Sequence, residues 1–474
     1  INLLIDILNL RVPADLDARH QLSDRIPAAE RPVVFIGPYE HHSNELPWRE
    51  SIADVITIGE DADGHVDLAE LEDELRRYAD RPLKIGSFSA ASNVTGIGSD
   101  TRAIGALLHR HGAYAFWDFA AAAPYVRIEM NMRDDGPDGD LVYKDAVFVS
   151  PHKFIGGPGT PGLLIAKRHL FANTVPATPG GGTVAYVNTE EHRYLADPEH
   201  REEGGTPAII ESIRAGLVFQ LKEAVGWETI RAREHDFITR AIASWSANPA
   251  LLILGNKDAW RLSIVSFVVR HRDAYLHHNF VVALLNDLFG IQARGGCSCA
   301  GPYGHRLLGI DLATSKEFER EIVRGCEGIK PGWVRVNFNY FLSETQFQYL
   351  LDAIHLIATD GWRLLPDYTF CPETGLWRHR RGLPDAAMRL ADVTYRTGRM
   401  EFRSRHATEP ESALTAYLDE ARRLMAAAGG VVTGAEAART EDFEALRWFP
   451  LPTEVAAELA GQPAPSCPRS SFRR

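Results

Sequence analysis

The stretch DAVFVS (145 to 150), followed at once by PHKFIGGPGTPG (151 to 162), decides the fold of this chain. DAVFVS is short and apolar, which is typical of a buried strand, and it ends in a glycine-rich turn that carries His152 and Lys153. In an open parallel sheet, functional side chains collect at the carboxyl ends of the strands. The pattern therefore predicts a strand that presents a lysine to a binding site.

Short apolar strands alternate with amphipathic helices from about 30 to 220, which predicts an α/β fold with a mainly parallel sheet. PVVFIG (32 to 37), LKIGSFSA (83 to 90) and AYAFWD (113 to 118) are predicted strands. Asp100 is predicted to cap the helix that precedes the third of them.

Three regions are predicted along the chain. Residues 1–220 form a large domain, 221–360 a smaller α/β domain, and 361–474 a helix-rich extension whose Pro/Ser/Arg-rich tail, from about 461, is disordered. The opening INLLIDILNL (1 to 10) reads as a helix with no capping residue ahead of it. We therefore expect that an upstream segment of the large domain is missing, and a frayed or processed terminus is the alternative.

Composition excludes several classes of protein. Lys and Arg number 51 against 63 Asp and Glu, so the formal charge of -12 gives no electrostatic reason to bind nucleic acid or an anionic membrane. No apolar run approaches the roughly 18 residues that a membrane span needs. The 5 cysteines are too few for a disulfide framework, and their odd number fits a reducing compartment. These features predict a soluble cytoplasmic protein.

Polar residues follow four of the predicted strands. Each taken singly is more often a cap, a buried helix-sheet contact or a surface lysine than a catalytic group. Together they favour a site, because a lysine at a strand end with an aspartate and a histidine nearby can hold an aldehyde cofactor as a Schiff base. The candidates are Glu40, His41, His42, Ser43, Asn44, Ser92, Asn93, Asp118, Ser150, His152 and Lys153.

Seven ordered motifs make the chain resemble the class V aminotransferase family of pyridoxal-phosphate enzymes, and within it the cysteine desulfurase and selenocysteine lyase branch. The resemblance runs from residue 1 to about 345 and implies fold type I. Each motif alone is weak, whereas seven in order are not a coincidence. They are EHHSNELPW (40 to 48), SNVTG (92 to 96), D-x-A-x-A (118 to 122), SPHK with its Gly-rich turn (150 to 162), EEGGTP (202 to 207), RGGCSCA (294 to 300) and VRVNFNY (334 to 340).

The resemblance implies a role for each residue that would surround the ring of pyridoxal 5'-phosphate. Lys153 would form the Schiff base with the cofactor. Asp118 would pair with the pyridine nitrogen and keep the ring an electron sink. His41 would stack on the ring face and also move protons, and Asn93 would hydrogen-bond near the ring hydroxyl or the substrate.

The cofactor phosphate has its own implied partners. Ser150 and His152 would hold it, and Thr206 would reach it across a dimer interface, which implies a homodimer. In this family a Gly/Ser/Thr-rich turn before the opening helix also binds the phosphate, as helix N-termini can. That turn would lie immediately before Ile1, so we expect this chain to lack it.

The motif RGGCSCA bears on the reaction. Desulfurases carry a nucleophilic cysteine just before an alanine here, and Cys299 occupies that position, with Arg294 opening the motif. Arg335 would clamp the carboxylate of an amino-acid substrate bidentately. The resemblance then implies removal of sulfur from L-cysteine, leaving alanine and an enzyme persulfide, with a sulfur-acceptor protein as a further partner.

Other interpretations of the same residues stay open. Cys297 and Cys299 could be small buried hydrophobes, or with His305 a set of metal ligands, although a zinc site usually needs four, and no metal is predicted. Desulfurases usually have glutamine where this chain has Ala121, and histidines where it has Cys297 and Ser298. A transaminase, a racemase or another lyase acting at the α-carbon, or a truncated non-catalytic relative, are therefore the alternatives.

Overall fold

The computed structural model describes the chain in two compact units. Unit 1 consists of residues 1–238, 255–264 and 299–303, and unit 2 consists of 239–254, 265–298 and 304–474. The predicted domain boundaries near 220 and 360 stay predictions. The residues described are 1–382, 388–402, 408–429, 432, 439–463 and 467–468, so most of the predicted tail from 461 lies outside them.

Unit 1 contains a six-stranded sheet in the order β2-β1-β3-β4-β5-β6. Strands β1 to β5 pair in parallel, and β6 runs antiparallel to β5. This confirms the predicted α/β fold with a mainly parallel sheet. The strands are β1 (Val33–Ile36), β2 (Asp54–Thr57), β3 (Lys84–Ser89), β4 (Tyr114–Asp118), β5 (Ala146–Val149) and β6 (Leu163–Ala166), with a separate hairpin of β7 (Val184–Val187) and β8 (His192–Tyr194).

Helices connect these strands, and their polar caps explain where several of them begin. The Asp100 carboxylate accepts hydrogen bonds from the backbone N–H groups of Arg102 and Ala103, which confirms the predicted cap, and Asp67 caps the preceding helix in the same way. The helices are α1 (Asn2–Ile7), α2 (Ala14–His20), α3 (His42–Arg49), α4 (Leu68–Arg77), α5 (Thr101–Arg110), α6 (Pro198–Arg201), α7 (Ile209–Val225) and α8 (Trp227–Ser246), the last divided between both units.

Helix α1 packs into the core of unit 1. Leu4 and Ile5 are fully buried in one cluster with Val34 and Ile36 of β1 and with Trp48 of α3. Burying a side chain of this size contributes about 1.5–3 kcal/mol. The first residues of the chain are thereby held beside the sheet, although Ile1 offers α1 no side-chain cap.

Unit 2 contains a second sheet, in the order β11-β10-β13-β12, with β9 also pairing with β10. Helices α13, α14 and α15 lie in the region 361–474, where a helix-rich extension was predicted. The elements are β9 (Leu251–Ile253), β10 (Ile264–His271), β11 (Ala274–Tyr275), α9 (His278–Phe289), β12 (Arg294–Gly296), α10 (Gly301–Leu308), α11 (Leu312–Val323), β13 (Trp333–Asn337), α12 (Glu344–Asp360), β14 (Tyr368–Cys371), β15 (Leu376–His379), α13 (Leu414–Ala427), α14 (Glu441–Leu446) and α15 (Pro452–Leu459).

The described part of the C-terminal extension packs inside unit 2 through aromatic side chains. The buried ring of His277 stacks on Trp448 with a centroid distance of 5.3 Å, and Phe449, Phe370 and Trp377 surround it within 6 Å. Contacts between aromatic rings stabilise the fold by more than the burial of their surface area alone.

Over the described ranges, no helix combines the length and apolar character that crossing a bilayer demands.

Candidate active site

A cavity of about 500 Å³ lies at the carboxyl ends of β3, β4 and β5 in unit 1. This is the edge of a parallel sheet at which ligands usually bind. Backbone and side chains from the start of α1 and from Ser89 also line it. Seven of the strand-end candidates line the cavity, namely His41, Ser43, Asn93, Asp118, Ser150, His152 and Lys153.

Asp118 supplies the buried negative charge of this cavity. It is the last residue of β4, it is 8% exposed, and its Oδ1 accepts a hydrogen bond of 2.7 Å from the backbone N–H of Ala120. Burial raises the pKa of its carboxyl, while that hydrogen bond and the positive charge of Lys153 act in the opposite direction. Asp118 and Lys153 therefore interact electrostatically within one cavity.

Lys153 ends a single helical turn, Pro151–Lys153, that follows β5 directly. Its backbone N–H donates to the carbonyl of Ser150 at 3.0 Å, which closes the turn. Close packing continues beyond it, because a Cβ added to Gly157 would lie 2.0 Å from the Pro151 carbonyl oxygen. The lysine is thus presented by a compact turn that needs glycine.

His41 caps helix α3 with its ring. Its Nδ1 accepts a hydrogen bond of 3.1 Å from the backbone N–H of Ser43. The neutral ring therefore carries its proton on Nε2. His41 lines the cavity, so this ring can offer a donor there.

Cys299 does not line the cavity, but backbone hydrogen bonds join it to the residue after His41. The N–H of His42 donates to the Cys299 carbonyl at 2.9 Å, and the N–H of Gly301 donates to Nε2 of His42 at 3.1 Å. Cys299 itself is half-buried and forms no disulfide. Two adjacent histidines therefore connect the cysteine segment to the cavity wall.

Glu40 forms a buried hydrogen-bond network behind the cavity. Its Oε1 accepts from the N–H groups of Ser89 at 2.9 Å and Gly37 at 3.2 Å, and its Oε2 accepts from Ser89 Oγ and Asn44 Nδ2, both at 2.6 Å. Burial nevertheless raises the pKa of the Glu40 carboxyl to about 7. Sequence reasoning placed Glu40 among the strand-end candidates but missed this role, because no local pattern indicates which side chains a carboxylate will meet.

Besides Cys299, three predicted site residues do not line the cavity. Thr206 is exposed on the segment that leads into α7. Arg294 and Arg335 belong to unit 2, where they face each other directly across the antiparallel pair β12 and β13. Their predicted roles stay predictions.

Metal coordination has no support in the side chains seen here. In the portion of the chain that the structure covers, no group of three or more His, Cys, Asp or Glu residues could hold a metal ion. This includes the set of Cys297, Cys299 and His305 that the sequence left open.

The family model for aminotransferase class V matches residues 20–338. The chain belongs to the aminotransferase class V family. Its membership confirms the resemblance drawn from the seven motifs, and the match spans most of unit 1 as well as β12 and β13 of unit 2.

Class V relatives in other organisms carry names that specify an activity. The chain is 29% identical over 291 residues to a probable cysteine desulfurase 2 of Mycobacterium leprae, covering 60% of this chain and 64% of the relative. It is 28% identical over 289 residues to a probable cysteine desulfurase of Halobacterium salinarum, covering 60% and 65%. The chain thus spans just under two thirds of the length of these curated relatives.

Solved structures of the same class V fold are similar to this chain. The apo cysteine desulfurase of Thermococcus onnurineus superposes with a TM-score of 0.58 at 23% identity, over 75% of this chain and 77% of that one. A cysteine desulfurase of Escherichia coli gives 0.55 at 21% identity, over 74% and 76%. At these identities the likeness shows the fold, which confirms the predicted fold type I.

Proposed function

We propose that this chain binds pyridoxal 5'-phosphate in the cavity of unit 1 and acts as a cysteine desulfurase-like enzyme, releasing alanine from L-cysteine. The observation that supports this most is that Lys153 and the buried carboxyl of Asp118 line one cavity and interact electrostatically. The names of the class V relatives support the same reaction.

The side chains around the cavity fit this cofactor by their chemistry. Lys153 offers a primary amine for an aldehyde, and Asp118 offers a buried carboxyl for a ring nitrogen. Ser150 and His152 offer a hydroxyl and an imidazole for a phosphate, and Asn93 offers an amide for the ring hydroxyl or the substrate. When bound, pyridoxal phosphate supplies an electron sink that stabilises a carbanion at the substrate α-carbon.

Cys299 would receive the sulfur. Its thiolate would attack the sulfur of the substrate, forming an S–S bond while the Cβ–S bond breaks. The electron pair of the broken bond stays with the carbon fragment, which takes up a proton to become alanine, and Nε2–H of His41 is a donor on the cavity wall. Cys299 is left as a persulfide, which a sulfur-acceptor protein could accept.

The two arginines of unit 2 suit the substrate carboxylate. Arg294 and Arg335 are direct partners in an antiparallel pair, so their side chains lie on the same face of the sheet. Guanidinium groups bind a carboxylate through parallel N–H donors, so two of them on one face suit an amino-acid carboxylate. We therefore assign the carboxylate of the amino acid to them.

A homodimer would complete the site. Ile209, Ile213, Leu217 and Leu221 recur every four residues on α7 and are 43–59% exposed, so they form an apolar stripe on one helix face. Thr206, which would reach the partner's phosphate, lies three residues before this stripe. A second copy of the chain would cover the stripe.

A cytoplasmic location is also part of this proposal. It rests only on the small, odd number of cysteines, which fits a reducing compartment.

Cofactor binding is tested by adding pyridoxal phosphate to the purified protein and recording its visible spectrum. We expect an absorption band of lysine-bound cofactor that Lys153→Ala abolishes. Lys167→Ala is the matched control, because Lys167 contacts Asn131 and the ring of Tyr143 away from the cavity. A wild-type protein that stays colourless would refute cofactor binding and favour a non-catalytic relative.

The reaction is tested by incubating the loaded protein with L-cysteine and a thiol reductant, and measuring sulfide and alanine together. We expect equal amounts of both, lowered at least 10²-fold by Cys299→Ser and unchanged by Cys371→Ser, whose thiol donates to Glu373 in unit 2. Keto acid in place of alanine would indicate a transaminase or a different lyase, and D-amino acid would indicate a racemase.

A further inference from the structure

One side of helix α7 packs against the lysine turn, residues 151–160. Nη1 of Arg214 donates a hydrogen bond of 2.9 Å to the carbonyl of Pro158. Further along the helix, the ring of Phe219 contacts the buried ring of Phe154 with a centroid distance of 4.8 Å. All of these residues belong to unit 1. Phe154 directly follows the lysine in the chain, so α7 supports the turn at the lysine itself.

The Lys222 side chain connects the lysine turn to the segment that follows Asp118. Its Nζ donates a hydrogen bond of 2.7 Å to the carbonyl of Ala123 and a second one to the carbonyl of Val126. The same ammonium lies 5.8 Å from the centroid of the Phe154 ring. A cation at this distance is attracted to the face of an aromatic ring. One side chain of α7 therefore contacts both segments.

The aspartate turn, residues 119–126, is hydrogen-bonded to the carboxylate that it follows. The backbone N–H of Ala120 donates to Oδ1 of Asp118 at 2.7 Å. The backbone N–H of Ala123 donates to the carbonyl of Phe119 at 2.7 Å, which closes the turn. The ammonium of α7 binds the Ala123 carbonyl, so a shift of this turn would also move a hydrogen-bond donor of the Asp118 carboxylate.

The burial of the Lys222 ammonium requires compensation. Lysine side chains usually extend their charged group into water. Lys222 is instead half-buried, and burial lowers the pKa of its amine to about 8. The two carbonyls and the face of the Phe154 ring offset that desolvation. An apolar side chain could pack here without such a cost, so the contacts of the ammonium account for a lysine at this position.

We propose that Lys222 is a positioning residue for the amine of Lys153 and the carboxyl of Asp118. By holding the lysine turn and the aspartate turn together, it fixes the spacing of these two groups, which would meet the aldehyde carbon and the ring nitrogen of one cofactor. This role rests on the proposed function, because only a ligand that engages both groups depends on their spacing. Lys222 is not among the residues that line the cavity, so it acts through the two turns.

The first test needs neither cofactor nor substrate. Hydrogen exchange of the cofactor-free protein, followed by mass spectrometry, reports on both turns separately. In Lys222→Met, which keeps an unbranched apolar side chain, peptides covering 119–126 and 151–160 should both exchange about 10-fold faster, because hydrogen bonds from a charged donor are lost. Peptides covering β1 should exchange as in wild type.

Two further variants serve as comparisons for hydrogen exchange. Lys222→Arg keeps a cation with several donors and should restore most of the protection. Lys167→Met is the matched control, because Lys167 also contacts an amide oxygen, that of Asn131, and an aromatic ring, that of Tyr143, away from the cavity. If Lys222→Met does not fold, Lys222→Gln, which keeps one donor group, should show a smaller increase in the same two peptides.

Faster exchange in 119–126 alone would overturn the proposal, because Lys222 would then support one turn without positioning the lysine. An equal increase in β1 would overturn it as well, because the side chain would then stabilise unit 1 as a whole.

The second test uses the protein with pyridoxal phosphate. In Lys222→Met we expect the apparent Kd for the cofactor, from the absorption band of the lysine-bound form, to rise about 10-fold. The kcat for alanine formation from L-cysteine should fall by about 10²-fold with little change in KM, because misplaced groups affect the chemical step more than substrate binding. Lys222→Arg should recover most of both losses, and Lys167→Met should behave as wild type.

The outcomes separate this role from the proposed function. A wild-type protein that binds the cofactor and forms alanine, with Lys222→Met unchanged in both Kd and kcat, would overturn the role of Lys222 alone. A wild-type protein that binds no cofactor would overturn the proposed function and this role with it.

Discussion

The difference in unfolding free energy between Glu40→Gln and wild type should shift in favour of the variant as the pH rises from 5 to 8. Burial raises the pKa of this carboxyl from 4.5 to about 7. The folded protein therefore holds the proton after the unfolded chain has released it. The stability that this proton contributes is complete below pH 4.5 and is lost as the pH rises through 7. At 1.36 kcal/mol per pKa unit, wild type loses ~2.5 kcal/mol from this group between pH 5 and 8, and glutamine loses nothing.

The substitution also has a cost that does not depend on pH. Glutamine keeps an oxygen for the two backbone N–H groups, but its amide nitrogen faces the Asn44 Nδ2 donor, which costs about 1–3 kcal/mol. That offset is present at both pH values and cancels when they are compared. The quantity to measure is therefore how far the difference in unfolding free energy between Glu40→Gln and wild type changes from pH 5 to pH 8.

Urea unfolding of the cofactor-free proteins at pH 5 and 8, followed by tryptophan fluorescence, measures that change. Trp48 and Trp117 are fully buried in unit 1 and report on its unfolding. Glu50→Gln is the matched control, because Glu50 is exposed at the C-terminal end of α3, the helix that begins just after Glu40. If the difference in unfolding free energy between Glu40→Gln and wild type stays constant within ~0.5 kcal/mol from pH 5 to pH 8, Glu40 does not have the raised pKa that this prediction requires.

Three further predictions follow from other parts of the molecule. The double variant Ile213→Asp, Leu217→Asp should convert a dimer to a monomer in size-exclusion chromatography with light scattering, because it places charges in the exposed apolar stripe. Burial lowers the pKa of His278 to about 4, so the stability that its neutral ring contributes is complete above pH 6.5 and is lost as the pH falls. Wild type should therefore lose ~2 kcal/mol of unfolding free energy from this group between pH 7 and 5, and His278→Gln should not, as measured by urea unfolding. Gly157→Ala should lose about 1–3 kcal/mol of unfolding free energy, whereas Gly181→Ala, whose Cβ meets nothing within 4 Å, should stay near wild type.

Strands β3, β4 and β5 could be predicted within one or two residues. Each is an apolar run bounded by turn residues, so its local pattern suffices. Because these strands run parallel, their carboxyl ends meet at one edge of the sheet. That is why Asn93, Asp118 and Lys153, far apart in sequence, could be assigned to one site before any coordinates were considered.

Other features depend on contacts that no local pattern contains. Residues 208 to 246 carry a continuous helical pattern, yet they form two helices, α7 and α8, separated at Gly226, whose φ of 83° suits glycine. The register that sets Arg294 against Arg335 comes from strand pairing, and the four hydrogen bonds to Glu40 come from tertiary packing. The exposure of the α7 stripe likewise appears only in the folded structure.

The antiparallel pairing of β5 with β6 has a consequence for how this protein could change by insertion or be engineered. Val149 and Leu163 are partners in that pair, so both ends of the segment 150–162, which carries Lys153, are fixed in the same sheet. Doubling the length of a flexible loop costs only ~0.6 kcal/mol in closure entropy. An insertion between the exposed residues 158 and 159 of this segment would therefore cost the fold little in chain closure, yet it could shift the turn that presents Lys153. At this position, tolerance of the fold and retention of the chemistry are separate properties, and a screen for soluble expression would not detect the loss.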